Sequence, residues 1–123
     1  MNNTQEVSPT TAFSMIQKGA LLVDVREAGE VARKSFDVCD VMQIPLSEIK
    51  KRFKEIPVDR QAIIACNLGN RSMMALRFLT SQGYSKAVNM QNGIVRWEKD
   101  GLPLKKQPKQ NAGAWLLQKL QRG

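Results

Sequence analysis

The sequence predicts an α/β domain with a mainly parallel central sheet of about four to five strands flanked by helices. Three observations carry this. Residues 20–25, 62–65 and 87–90 are short apolar runs with the near-continuous hydrophobicity of strands buried on both faces. Between them lie stretches whose apolar residues recur at helical spacing. The chain has 123 residues, 42% hydrophobic and 24% charged, which suits one globular domain and not a disordered chain.

Taken in order, the elements justify themselves locally. Ser8 and Pro9 open a helix, Ser8 as N-cap and Pro9 at the first turn, where a missing N–H costs nothing. Phe13 and Ile16 share its inner face and Gly19 ends it. Residues 20–25 form the first buried strand, and residues 27–34 a weak, charged helix. Residues 41–44 read as a second strand, stopped by Pro45. Leu46, Ile49 and Phe53 then recur at helical spacing with basic residues outward. The third strand, 62–65, runs straight into Cys66. A helix over 72–82 follows, with Met73, Leu76, Leu79 and Thr80 on its inner stripe and Gly83 as its stop. Residues 87–90 are the fourth strand. Asn92 and Gly93 turn the chain into a short helix around Trp97, a core residue, and Gly101 closes it.

The expected domain spans 1–104, with 105–123 as a tail. Net charge is +8, but residues 1–104 carry only +3 and the last 19 residues carry +5. The excess is therefore a basic tail, which argues against a nucleic-acid surface spread over the domain. Residues 105–110 have linker composition. Residues 111–121, with Trp115, Leu116 and Leu120, could form an amphipathic segment that packs back on the domain or touches a partner or an anionic membrane surface.

Composition also removes mechanisms. There is no histidine, which excludes Ser-His and Cys-His nucleophiles and His-metal sites. Two cysteines, Cys39 and Cys66, are too few for a disulfide framework or a four-Cys zinc site. The N-terminus lacks a secretory layout and no apolar run is long enough to span a bilayer, so reduced thiols in a cytoplasm are expected. No metal and no cofactor are expected. Cys39 lies among Phe36, Val38 and Val41 and reads as a packing residue, with a resolving thiol as its other role.

Cys66 has a different setting. It ends a strand, Gly69 and Arg71 follow it, and a helix begins at Ser72. Ligands bind at the carboxyl ends of parallel strands. A loop between such a strand and a helix can turn its N–H groups inward as an anion cradle, helped by the helix dipole. Gly69 allows the tight curvature and Arg71 supplies a planar fork for an anion. A thiol in that field ionises more easily than a free one, so no imidazole is needed.

These residues carry a family resemblance over about residues 5–104. The chain resembles a single-domain rhodanese, a sulfurtransferase. Leu22-Val23-Asp24-Val25-Arg26 resembles the opening strand, and Ile44-Pro45-Leu46 the lead into the next helix. Cys66-x-x-Gly69-x-Arg71-Ser72 resembles the catalytic loop. Asn89-Met90-Gln91-x-Gly93-Ile94-x-x-Trp97, with Gly101-Leu102-Pro103, resembles the closing segment. The resemblance implies that Cys66 takes a sulfane sulfur from thiosulfate or a persulfide and passes it to a thiol, cyanide or a sulfur-carrier protein. Asn67, Leu68, Gly69, Asn70, Arg71 and Ser72 would form the substrate-binding loop, with Arg71 orienting an anionic donor. Asp24 and Arg26 would be structural, tying the first strand to the loop by hydrogen bonds or an ion pair with Glu30.

Three departures stand out. Residues 36–41 replace the family's usual Gly-His-Ile-x-Gly-Ala, putting two carboxylates where it has none. Asn67 stands where a basic residue is common, and Asn92 where a second glycine is common. With one cation fewer, a small dianion such as thiosulfate would bind more weakly, leaving Leu68 to meet a partner protein or an apolar persulfide. Related Cys-loop phosphatases and arsenate reductases hold five residues between cysteine and arginine; here there are four. The remaining alternative is a binding or regulatory module that keeps the fold without the chemistry.

Overall fold

A computed structural model of the chain describes residues 5–107, so the amphipathic stretch 111–121 and its partner or membrane contacts lie outside the described residues. Five parallel strands make the main sheet in the order β1-β6-β5-β2-β4. They are β1 (Glu6–Val7), β2 (Leu21–Asp24), β4 (Val41–Gln43), β5 (Ala62–Ala65) and β6 (Ala87–Met90). A separate antiparallel pair joins β3 (Lys34–Phe36) to β7 (Leu104–Lys106). The helices are α1 (Pro9–Gln17), α2 (Ala28–Arg33), α3 (Ile49–Arg52), α4 (Asn70–Ser81) and α5 (Gly93–Lys99).

Strand periodicity splits the core into two layers. Leu21, Val23 and Ile64 face one side with Ala75, Leu76 and Leu79 of α4 and with Ile49. Leu22, Ile63 and Ala65 face the other with Ala12 and Ile16 of α1 and with Ile94 and Trp97 of α5. Alternate residues of a strand point to opposite faces, so a run that is apolar throughout must be covered on both. Trp97 is fully buried, meets Phe13 and Phe36 edge to face at 5.7 and 5.1 Å, and donates its ring N–H to Pro103 O at 2.7 Å. That carbonyl satisfies the one polar atom of a core indole.

Several expected elements shift. The Ser8 cap of α1 is made, with its Oγ accepting from Thr11 N. The charged helix is capped by Glu27, whose backbone N–H is met by Glu30, and it stops at Arg33 because the chain then enters β3. β4 ends at Gln43, one residue short of Ile44. Leu46 to Phe53 is not one helix: 3-10 turns at Leu46–Glu48 and Phe53–Glu55 flank the single α-turn of α3. Thr80 is exposed, and Ser72 and Ala75 join Leu76 and Leu79 on the inner face of α4. Lys105 and Lys106 are strand residues opposite Ser35 and Lys34, so the pairing runs beyond residue 104. Cys39 is exposed, not packed, because the turn before β4 carries it outside both core layers.

Candidate active site

β5 lies at the centre of the sheet, and its carboxyl end delivers Cys66 into the turn that starts α4. Cys66 is 1% exposed. Its Sγ accepts the Gly69 N–H at 3.1 Å and the Ser72 N–H at 3.3 Å, and it lies 3.3 Å from Ser72 Oγ. Two N–H groups converging on one sulfur, with a hydroxyl beside it that can also donate to a thiolate, stabilise negative charge there. The helix begins at Asn70, two residues earlier than its hydrophobic pattern indicates, which brings the Ser72 N–H inside the unpaired first turn. Gly69 makes the turn possible. Its φ is +105°, and a Cβ there would stand 3.2 Å from Asn92 N.

The far side of the loop is held by α5. Ile94 N–H donates to Cys66 O at 2.9 Å and Val95 N–H to Asn67 O at 3.2 Å. A trans peptide points its N–H opposite its carbonyl, so binding these two oxygens turns the N–H groups of Asn67 and Leu68 away from α5. The approach is close: a Cβ on Gly93 would lie 2.3 Å from Cys66 O and 2.4 Å from Asn67 O. Gly93, Ile94 and Val95 therefore shape the loop through backbone alone. Sequence reasoning reads the Asn92-Gly93 turn without its contact to the loop, because no side-chain chemistry marks a donated N–H.

Arg71 is not an open fork. Its two terminal nitrogens donate to the two Glu30 oxygens at 2.7 and 2.8 Å, joining the start of α4 to α2. The hydrogen bonds from Arg71 hold the Glu30 carboxyl down at about 2, well below its usual range, and Glu30 in turn raises Arg71. Of the two ties open to Asp24 and Arg26, hydrogen bonds or an ion pair with Glu30, the ion pair belongs to Arg71. Arg26 instead binds Asp24: its Nε donates to Oδ1 at 3.0 Å and Nη2 to Oδ2 at 2.8 Å. Nη2 also reaches Lys34 O at 2.8 Å, so this pair, 2% and 1% exposed, ties the end of β2 to β3. The tie runs to β3, and the loop is reached through Arg71.

An open depression of about 310 Å³ lies beside the loop, lined in part by Glu6, Leu68, Gly69, Asn70, Met73 and Gln91. Leu68 is 57% exposed. Glu6 is held by Asn89 Nδ2 at 3.0 Å and Gln91 Nε2 at 3.4 Å, and the same Asn89 nitrogen lies 3.5 Å from Gly69 O. Of the loop residues singled out in the sequence, Cys66, Gly69 and Ser72 come together at the sulfur, while Leu68 and Asn70 face the depression. Asn67 enters through its carbonyl bond to α5 and Arg71 through Glu30. Among the described residues no cluster of three or more His, Cys, Asp or Glu could hold a metal ion, and no helix is long and apolar enough to cross a membrane.

Comparison with known proteins converges on one family. The Rhodanese-like domain model matches residues 8–100, more than half of the chain. A sulfurtransferase of Allochromatium vinosum is 40% identical over 84 residues, covering 68% of this chain and 77% of that protein. The thiosulfate sulfurtransferase GlpE of Pseudomonas syringae is 28% identical over 97 residues, covering 79% of this chain and 90% of its own. Among solved structures, a rhodanese-related protein from Thermoplasma volcanium superposes with a TM-score of 0.74 at 28% identity, covering 82% of this chain and 97% of that one.

Proposed function

The chain belongs to the rhodanese-like domain family, and we propose that it is a sulfurtransferase that carries sulfane sulfur as a persulfide on Cys66. The observation that carries this reading is the sulfur itself, buried at the end of the central strand with two N–H groups and a hydroxyl within 3.1 to 3.3 Å. In the first step the Cys66 thiolate attacks the sulfane sulfur of a donor. The new S–S bond forms from the thiolate's electron pair as the donor's own bond to that sulfur breaks. With thiosulfate the pair leaves on sulfite; with a persulfide R–S–SH it leaves on the thiolate R–S⁻. In the second step an acceptor, a thiolate or cyanide, attacks the outer sulfur and Cys66 leaves again as thiolate.

The loop supports both steps. Among the described residues, the N–H groups of Asn67, Leu68, Asn70 and Arg71 donate to no protein acceptor. We assign them to the outer sulfur and to charge developing on it, a preorganised cradle that needs no reorganisation during transfer. Gly69 and Ser72 stabilise Sγ as leaving group. Arg71 positions the loop through Glu30, and Asp24 with Arg26 holds the strand end beneath it.

The test is intact mass after incubation with thiosulfate or polysulfide, comparing the wild type with Cys66→Ser. A gain of one sulfur atom, removed by cyanide or thiol and absent in the variant, is expected. No gain with either donor overturns the reading and leaves a rhodanese fold used for binding alone.

A further inference from the structure

Asn89 places a polar side chain in the core beside the loop, and the role assigned to it here rests on the sulfurtransferase reading above. It is 1% exposed on β6, where Ala87, Val88 and Met90 are apolar and buried. Its Nδ2 carries two hydrogens and faces two acceptors, Glu6 Oε2 at 3.0 Å and Gly69 O at 3.5 Å. Turning the amide over would set its oxygen against both, so its orientation is fixed. Asn89 Oδ1 is then buried with no donor among the described residues.

Stability does not account for this side chain. A buried acceptor without a donor costs free energy. Glu6 is exposed, and Gly69 O also accepts the Met73 N–H at 3.2 Å. An apolar side chain of similar size would therefore strand neither partner. What the amide adds is a fixed place for the Gly69 carbonyl. That carbonyl shares its peptide with the Asn70 N–H, and in a trans peptide the two point in opposite directions. The preceding peptide carries the Gly69 N–H, which donates to Cys66 Sγ at 3.1 Å. Holding Gly69 O from β6 thus aims the Asn70 N–H out of the start of α4 and keeps the Gly69 N–H on the sulfur. We infer that Asn89 is a positioning residue for the reaction, acting through Gly69, with Glu6 fixing its amide from β1.

The experiment compares Asn89→Leu, Glu6→Gln and Glu6→Leu in a Cys39→Ser background, which leaves Cys66 as the thiol observed. Sulfur gain from polysulfide is timed by intact mass. The pH midpoint of thiolate formation is read from ultraviolet absorbance, and thermal midpoints are measured alongside. Asn89→Leu is expected to slow sulfur gain about tenfold, the scale of a small misplacement of reacting groups. It should also move thiolate formation to higher pH while leaving the thermal midpoint unchanged or raised. Glu6→Gln keeps an acceptor for Nδ2 and should behave as the wild type. Glu6→Leu should slow sulfur gain about threefold, the scale of one weak hydrogen bond. Glu6 is exposed, so its variants test the tie whatever Asn89→Leu does to folding. Sulfur gain and thiolate midpoint both unchanged in Asn89→Leu overturn the inference. A slower rate with a lowered thermal midpoint and an unmoved thiolate midpoint also overturns it, because Asn89 is then structural. No sulfur gain in the wild type overturns the sulfurtransferase reading, and the thiolate midpoint alone then decides whether Asn89 sets the cradle.

Discussion

Arg71 and Glu30, 41 positions apart in sequence, form a two-bond ion pair at 2.7 and 2.8 Å that closes the rim of the Cys66 loop against α2. The pair joins the first turn of α4 to a helix that packs near the end of β2. The loop's cation is a brace.

Removing that brace has a pH signature. Glu30 is held at about 2 in the folded protein against an ordinary value of 4.5. A depressed carboxyl contributes stability that is present above the unfolded value and is lost as pH falls through the folded one. Glu30→Gln is therefore expected to cost about 1 kcal/mol at pH 7, discounted because the pair is partly exposed. The gap between wild type and variant in urea midpoint should close between about pH 4.5 and pH 2. A gap that stays constant across this range would show that the carboxyl is unpaired in solution.

Asp24 and Arg26 form the buried counterpart. Asp24→Ala leaves a cation 2% exposed without its partner, and a loss of about 3–5 kcal/mol is expected. The double substitution Asp24→Leu with Arg26→Met removes both charges and should recover at least half of that loss in a urea titration. If the double variant is no better than the single one, the bond from Arg26 to Lys34 O carries the effect instead.

Gly93 tests the contact between α5 and the loop. Gly93→Ala places a methyl 2.3 Å from Cys66 O at φ +53°, so about 2–4 kcal/mol of stability should go, together with most sulfur loading. Gly101→Ala is the control: its φ is +75° but nothing lies within 4 Å, so only the left-handed penalty of about 1–2 kcal/mol applies and loading should persist. Equal losses in the two variants would mean that crowding at Gly93 is relieved without moving the loop.

Ser72 separates chemistry from packing. Its Oγ lies 3.3 Å from Cys66 Sγ. Ser72→Ala is expected to slow sulfur transfer about tenfold, the worth of one hydrogen bond to a charged group, and to lower the thermal midpoint only slightly. Unchanged transfer would assign Sγ stabilisation to the Gly69 and Ser72 N–H groups alone.

The sequence by itself determined the class of fold and singled out the cysteine on which the proposed chemistry rests. Runs such as Ala62–Ala65 are apolar at every position, and only a strand covered on both faces can bury them. Cys66 at the end of such a strand, with Gly69 and a helix start behind it, places a thiol at the ligand-binding edge of a parallel sheet. What the tertiary structure decided is what each charge meets. Arg71 finds Glu30, Arg26 reaches Lys34 O in β3, and Glu6 of a two-residue strand meets Asn89. Pairings between elements depend on strand order and helix placement, which no local pattern encodes. The same is true of β3 and β7, whose three-residue runs are too short for periodicity to mark and exist only because they pair with each other. Cys39, set among apolar neighbours in sequence, ends on the surface because contact in the fold, and not adjacency along the chain, decides burial.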